Sequence, residues 1–536
     1  MQKIFTVGLG LFCTFLTAQE LVFVEFKDKP QATVSLAQPL SILSQDALDR
    51  RNKRGVNLDE RDVPLEVTYV QQVKKNFPIL GHSKWLNGVV VNAKSEQDIL
   101  TLSQLPFVNK VETFVQNPKA VRTENKVSKF TVSTRNLDRT KAHVSDEFIQ
   151  QLNLQVLHNQ GFTGKNVKLA VIDAGFPYVN TMQAFANSRN NGRIKFTYDF
   201  VTKSTDVYNV NSNDHGTMVL SNIAAKTPEY TGTGYDADLY LFRTEDAATE
   251  TPLEMVYWVM AAEKADSLGV DIINTSLGYY EFDDARYNYS TDDLDGKTTY
   301  ITRGANIAAE KGMILVISAG NERSSPWGKI SAPADAHNVL SIGAVDLQGN
   351  IAYFSSYGPT ADNRIKPDVV ALGVSVPVYN YGWWGEEIVR NNGTSFSSPI
   401  TAGAVASLIQ KYEKFTVAQI IEAVHQAGNR FQNPNNDYGH GIPDFAKIMH
   451  YLDENLSTSV FANQNLEIYP NPTKDWLIIK SATSINRLEI LDTNGRVVRA
   501  YSKKNTISLK SLLKGVYFVK IYFSDGKAVT QKIIKQ

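Results

Sequence analysis

The sequence predicts an α/β protein: a parallel sheet with helices on both faces, preceded by a small α/β domain and followed by a C-terminal β-sandwich. Three patterns predict it. Between Phe148 and Leu452, short apolar runs alternate with stretches of helical length and period, the signature of a parallel sheet covered on both sides. Upstream, a strand-like run, a helix and a return strand follow one another. Downstream, short alternating strands are separated by turn residues. At 536 residues the chain is too long for one ordinary domain.

The N-terminus comes first. Lys3 precedes an apolar run from Ile4 to Leu16, then Thr17-Ala18-Gln19, which reads as a Sec signal peptide over residues 1–18, cut after Ala18. No later run of eighteen apolar residues exists, so no transmembrane segment is expected. The only cysteine, Cys13, lies inside this leader. The mature chain therefore has no thiol, which excludes cysteine catalysis and thiolate zinc. Lys+Arg equals Asp+Glu at 55 each, against a nucleic-acid partner.

Residues 19–118 form the small α/β domain. Leu21 to Phe26 is strand-like, Ser95 caps a helix running to Leu105, and Phe107 to Glu112 reads as the return strand. Residues 119–147 are polar and poor in aromatics, and read as a linker where processing occurs. In the central domain, residues 148–455, expected strands are Lys168–Asp173, Leu239–Phe242, Asp271–Asn274, Ile314–Ser318 and Val339–Gly343. Helices are expected over Pro252–Leu268, Tyr300–Lys311 and Ile400–Tyr412. A polar join at 456–465 leads to the sandwich at 466–536, with Asn494-Gly495 and Asp525-Gly526 as tight hairpin turns.

Three segments carry chemistry. Asp173 ends an apolar strand in Val171-Ile172-Asp173-Ala174-Gly175. His215 opens a helix in Asp214-His215-Gly216-Thr217. Ser395 stands at a helix start in Gly393-Thr394-Ser395-Phe396. A serine hydroxyl is a poor nucleophile until a base takes its proton, and an acid fixes the tautomer of a histidine base. Ser397 and Ser398 are rival hydroxyls, but neither occupies the motif position. Pro399 reads as part of the first helical turn, where proline is tolerated. The small residues Gly278, Ala319 and Gly320 leave room for a side chain, and Ser276, Leu277 and Gly278 offer backbone to an extended peptide.

These segments, in the order Asp, His, Ser, resemble the boxes of the subtilisin-like serine peptidases, the subtilases. Ser318-Ala319-Gly320-Asn321 resembles the family's oxyanion segment, Asn274-Thr275-Ser276-Leu277-Gly278 its substrate-binding strand, and Tyr438-Gly439-His440-Gly441 its closing turn. The resemblance covers roughly Leu154 to Leu452. It implies a subtilisin-like fold and a secreted serine endopeptidase acting on polypeptides. Asp173, His215 and Ser395 would form the triad, Asn321 the oxyanion donor, and Ser276, Leu277, Gly278, Ala319 and Gly320 the substrate site. The chemistry would need no cofactor and no metal. A catalytically silent binding protein of the same fold is the alternative.

Residues 19–118 resemble the inhibitory, folding-assisting pro-region of subtilases. The tail resembles the type IX C-terminal sorting domain of Bacteroidetes through Tyr469-Pro470-Asn471-Pro472 and Leu513-Lys514-Gly515-Val516-Tyr517, implying export by that machinery. A carbohydrate- or cell-binding sandwich is the other reading of the tail. The loop from Asp283 to Gly296 is rich in acids; it reads as a solvated loop, though its oxygens could hold calcium.

Overall fold

The structure is a computed structural model that describes residues 19–120, 143–210, 213–462, 466–481, 483–492, 496–524 and 528–536. The leader, most of the 119–147 linker and the two expected hairpin turns of the tail lie outside these. Two compact units divide at Ala446/Lys447.

The first unit opens with a four-stranded antiparallel sheet ordered Gly81–Ser83, Gly88–Ala93, Glu20–Phe26, Val108–Thr113. Val22, Val24 and Phe26 alternate inward with Val89 and Val91 to make its core. The helix expected after Ser95 is Glu96–Ser103, and the Ser95 hydroxyl accepts from the Asp98 N–H. Helices at Gln45–Arg54 and Val67–Lys74 were not read from the sequence; the first shows mainly charged residues, and the second is only eight residues long.

That charged helix docks this domain on the rest of the unit. Arg50 and Arg51 both pair with Asp266, Arg51 also reaches Asp62 at 2.7 Å, and Lys311 binds Asp62 at 3.0 Å. All five groups are buried. Alongside, Glu263 accepts from the Ser83 hydroxyl and the Trp85 N–H, capping a turn of the docked domain. Burial opposes ionisation of Asp266, but Arg50 and Arg51 outweigh it and hold the carboxyl below the usual range. Such a carboxylate stabilises docking above about pH 4, its ordinary value, and loses that contribution as pH falls through its lower folded value. Asp266→Ala, which leaves two arginines buried without this partner, is expected to destabilise the precursor by about 3–5 kcal/mol. Urea unfolding of the precursor at neutral pH measures this, and an unchanged midpoint would contradict the docking role.

The central sheet contains, in chain order, β1 (Lys168–Asp173), β2 (Ile194–Asp199), β3 (Asp238–Arg243), β4 (Ile272–Thr275), β5 (Ile314–Ser318), β6 (Leu340–Val345) and β7 (Val369–Leu372). All pairings are parallel, in the order β7-β6-β5-β4-β1-β3-β2. The inner strands are apolar on both faces because helices cover both. Four helices matter for the site: α1 (His215–Ala224), α2 (Pro252–Ser267), α3 (Tyr300–Glu310) and α4 (Thr394–Lys411). Helix α2 starts with a capping box, Thr251 against Glu254, with Pro252 at its first position. The edge strands β2 and β7 escaped the sequence reading. The first is only half-buried, and the second is just four residues long.

The second unit has a three-stranded sheet (Glu467–Tyr469, Trp476–Lys480, Thr506–Ser508) and a four-stranded one (Val497–Ser502, Ile485–Leu491, Gly515–Phe523, Ala528–Lys535). Leu477, Ile479, Leu488, Ile490, Val519 and Ile521 fill its interior, and along Trp476–Lys480 they alternate with outward Trp476, Ile478 and Lys480. One boundary is corrected: helix Phe445–Ala462 runs through the start of the segment 456–465 expected to be a polar join. The backbone there stays helical although the segment is polar in composition.

Candidate active site

Strand β1 ends with Asp173 fully buried, in register with Arg243 on β3. Helix α1 begins at His215, whose N–H is taken by the Asn213 side chain. Gly216 lets the helix start approach, since a Cβ there would stand 2.3 Å from the Gly175 carbonyl and 3.1 Å from Asp173. His215 Nδ1 thus lies 2.8 Å from Asp173 Oδ1, with His215 only 4% exposed. This bond places the proton on Nδ1 and leaves Nε2 as the basic nitrogen.

Helix α4 begins after Gly393, whose φ of +151° suits glycine. Ser395 is its second residue and remains partly exposed, whereas Ser397 and Ser398 are wholly buried. Ser397 donates to the Thr394 carbonyl and Ser398 to Asn274 Oδ1, so the rival hydroxyls hold structure.

Pro399 lies one turn deeper than expected, the sixth residue of α4. Lacking an N–H, it cannot bond the carbonyl four residues before it, that of Ser395. The Ser276 hydroxyl donates to this carbonyl instead, at 2.9 Å. The proline therefore ties the serine-bearing turn to the end of β4.

Asn321 is anchored by one end. Its Oδ1 accepts from the Thr394 N–H at 2.9 Å and the Thr394 hydroxyl at 3.0 Å. This fixes which end is oxygen and leaves the amide Nδ2 as the donor end. Asn321 and Ser395 line one cavity with Ser276, Leu277, Gly278 and Gly320. Ala319 is the exception among the expected substrate residues. It is buried, with its N–H on the Ile342 carbonyl, and does not line the cavity, because a strand-end alanine next to β6 faces the core. The room left by Gly278 and Gly320 is also partly taken, since the Ser331 hydroxyl stands 2.0 and 3.1 Å from where their Cβ atoms would be.

The acids of the 283–296 loop mostly serve as caps. Asp284 pairs with Arg286, Asp293 accepts from the Ser290 N–H, and Asp295 from Lys297 and Thr298. A three-carboxylate group lies elsewhere among the described residues: Glu245, Glu250 and Glu254, all buried, with oxygens within 4.8 Å of one another. Two of these, with Glu281 and Glu322, line the cavity of Ser395. Sequence reading missed all four, since no motif holds them.

Three family models match the chain: the subtilase family over residues 164–441, the peptidase S8 propeptide domain of Bacteroidota over 21–131, and a secretion system C-terminal sorting domain over 467–536. Subtilisin E of Bacillus subtilis (strain 168) is 30% identical over 321 residues, spanning 56% of this chain and 72% of that protein. The membrane-bound transcription factor site-1 protease of Rattus norvegicus is 28% identical over 314 residues, spanning 56% of this chain and 27% of its own length. The crystal structure of the epidermin leader peptide processing serine protease of Staphylococcus aureus aligns with a TM-score of 0.52 and 18% identity, over 81% of this chain and 99% of that one.

Proposed function

Because the chain belongs to the subtilase family of serine proteases, we propose that it cuts polypeptides through an acyl-enzyme on Ser395, with His215 and Asp173 completing the triad. The chain also carries a propeptide domain and a C-terminal sorting domain, so it is a zymogen exported to the cell surface or the extracellular space. Among the described residues, no helix is long and apolar enough to cross a membrane.

The observation that carries the mechanism is the buried 2.8 Å bond from His215 Nδ1 to Asp173. With Nδ1 held as the donor, Nε2 takes the Ser395 proton as the hydroxyl attacks the substrate carbonyl, and later delivers it to the leaving amine. Asp173 steadies the imidazolium formed between these steps. The oxyanion collects at the N-terminus of α4, beside the Ser395 N–H and the Asn321 amide. A backbone extended along Ser276–Gly278 supplies the pairing that aligns the scissile bond. The chemistry needs no cofactor, and a role for calcium would be structural. The substrates are extracellular proteins, and the pro-region blocks this site until it is cut away.

An active-site fluorophosphonate is expected to label Ser395, and peptide mapping of the labelled residue tests the assignment directly. Labelling at Ser397 or Ser398 would move the nucleophile there, and none at all would favour the catalytically silent alternative. Asn321→Ala should lower kcat about a hundred- to a thousandfold, the scale known for this donor in a subtilisin, and leave KM nearly unchanged. A change in KM alone would make Asn321 a binding residue.

A further inference from the structure

Resting on Asp173 and His215 as the acid and base of the reaction, we propose that Arg243 is a positioning residue for them. Anchored by Asp199, it holds the Ala174 carbonyl and thereby keeps the Asp173 carboxylate against His215.

The sheet order puts three charged side chains in one row. Arg243 ends β3, which lies between β1 and β2. It is in register with Asp173, the last residue of β1, and with Asp199, the last residue of β2. Side chains in register on parallel strands leave the same face of the sheet, so the arginine stands between two carboxylates at the strand ends. All three residues are buried.

Arg243 divides its donors between the two sides. Nη1 meets Asp199 Oδ2 at 2.8 Å, and Nε donates to the Ala174 carbonyl at 3.2 Å. The Asp199 side is the anchor. Asp199 Oδ1 accepts from the Val201 and Thr202 N–H groups, and the Phe200 N–H donates to the Arg243 carbonyl. The guanidinium is thus tied to a carboxylate that is itself tied into the turn after β2. On the other side lies the turn that follows the acid. The Ala174 N–H donates to Asp173 Oδ1 at 2.7 Å, and this is the oxygen that His215 Nδ1 meets at 2.8 Å. Rotation of Ala174 therefore moves a donor on the atom that orients the base.

This turn needs a hold from outside. Ala174 is followed by Gly175, with φ +127°, and a glycine there does little to resist rotation of the peptide before it. The Gly175 carbonyl abuts α1, 2.3 Å from where a Cβ on Gly216 would stand, so a shifted turn would also press on the residue after His215. A hydrogen bond from a charged donor is about twice as strong as a neutral one. Arg243 directs such a bond at the carbonyl of the 174–175 peptide. A buried ion pair adds little net stability over packed apolar residues of the same size. What the Arg243–Asp199 pair supplies is orientation.

The test uses the mature enzyme produced from the full chain. Fluorophosphonate labelling of wild-type Ser395 first establishes the nucleophile, and the labelled fraction at completion counts active sites in every variant. Arg243→Met keeps the length of the side chain and loses every donor. It is expected to lower kcat per labelled site about tenfold to a hundredfold, the scale of a misplaced catalytic group, with KM nearly unchanged. The rate of labelling should fall by a similar factor, since it too needs His215 as base. Arg243→Lys should recover part of the loss, because an ammonium can still donate to the Ala174 carbonyl. If Arg243→Met does not mature, Asp199→Asn keeps the question open to measurement: it loosens the anchor and should lower kcat per labelled site by a smaller factor, again with KM kept. A variant whose kcat per labelled site matches wild type, whatever its urea midpoint, overturns the proposal and leaves Arg243 a role in the fold alone. A raised KM with kcat kept, or a lysine variant no better than the methionine one, overturns it too. Absence of labelling in the wild type removes the triad on which the proposal rests.

Discussion

Ser395→Ala is expected to reduce turnover about a millionfold, the loss known when a subtilisin loses its serine, and to leave the precursor uncut. The partly exposed hydroxyl of Ser395 stands at the start of α4, and its buried neighbours Ser397 and Ser398 are engaged elsewhere. Neither can substitute without unwinding the turn that Ser276 holds through the Ser395 carbonyl. The fold should survive, because Ser276 binds a backbone oxygen that alanine retains. Two measurements check this. Electrophoresis of the purified variant should show a single precursor band in place of separate pro-region and mature forms, and urea unfolding should match a wild-type precursor held uncut by another route. Appreciable hydrolysis by the purified variant would refute the assignment of the nucleophile.

Removing residues 466–536 should stop export while sparing the chemistry. The tail matches a sorting domain over 467–536. It belongs to a compact unit separate from the one containing Asp173, His215 and Ser395. Its interior is its own, built from residues such as Leu488, Ile490, Val519 and Ile521. A small sandwich without disulfides is marginally stable by itself, so its loss should cost the larger unit little. In a host with the type IX machinery, the truncated chain should accumulate in the periplasm, and the full chain at the surface or in the medium. Once matured, both should hydrolyse the same peptide with similar kcat. Equal amounts of both forms in the medium would assign the tail to binding rather than sorting.

The candidate triad was legible because the chemistry proposed for it demands fixed residue types in fixed local settings. Asp173 must end a strand, His215 must open a helix, and Ser395 must stand at a helix N-terminus, and each setting has a local signature of apolar run, glycine and cap. The rival hydroxyls share that setting, and in the sequence only the motif position sets Ser395 apart from them. In the structure Ser397 and Ser398 are engaged by the Thr394 carbonyl and Asn274. The register of Pro399 was misread for a related reason. Where α4 begins depends on Gly393, and the carbonyl the proline frees acquires meaning only when Ser276 arrives from β4.

Ala319 shows the limit of reading size as space. Alanine at a strand end suits a pocket or a core equally, and its bond to Ile342 on β6 puts it in the core. The helix Gln45–Arg54 shows the converse. Its charged residues give no sign of burial along the chain, yet Arg50 and Arg51 are buried against Asp266, more than 200 positions away in the chain.

The sequence by itself determined the alternating α/β order and the two flanking domains, and singled out Asp173, His215, Ser395 and Asn321 as candidates, because local pattern and motif encode these. Only the tertiary structure decided which small residues face the cavity, how the first domain docks, and that Glu245, Glu250, Glu281 and Glu322 share the nucleophile's cavity. A carboxylate on the loop after β3 and another after β5 carry no shared signal along the chain. They meet because parallel strands deliver their C-terminal loops to one edge of the sheet, and that convergence is a property of the sheet order.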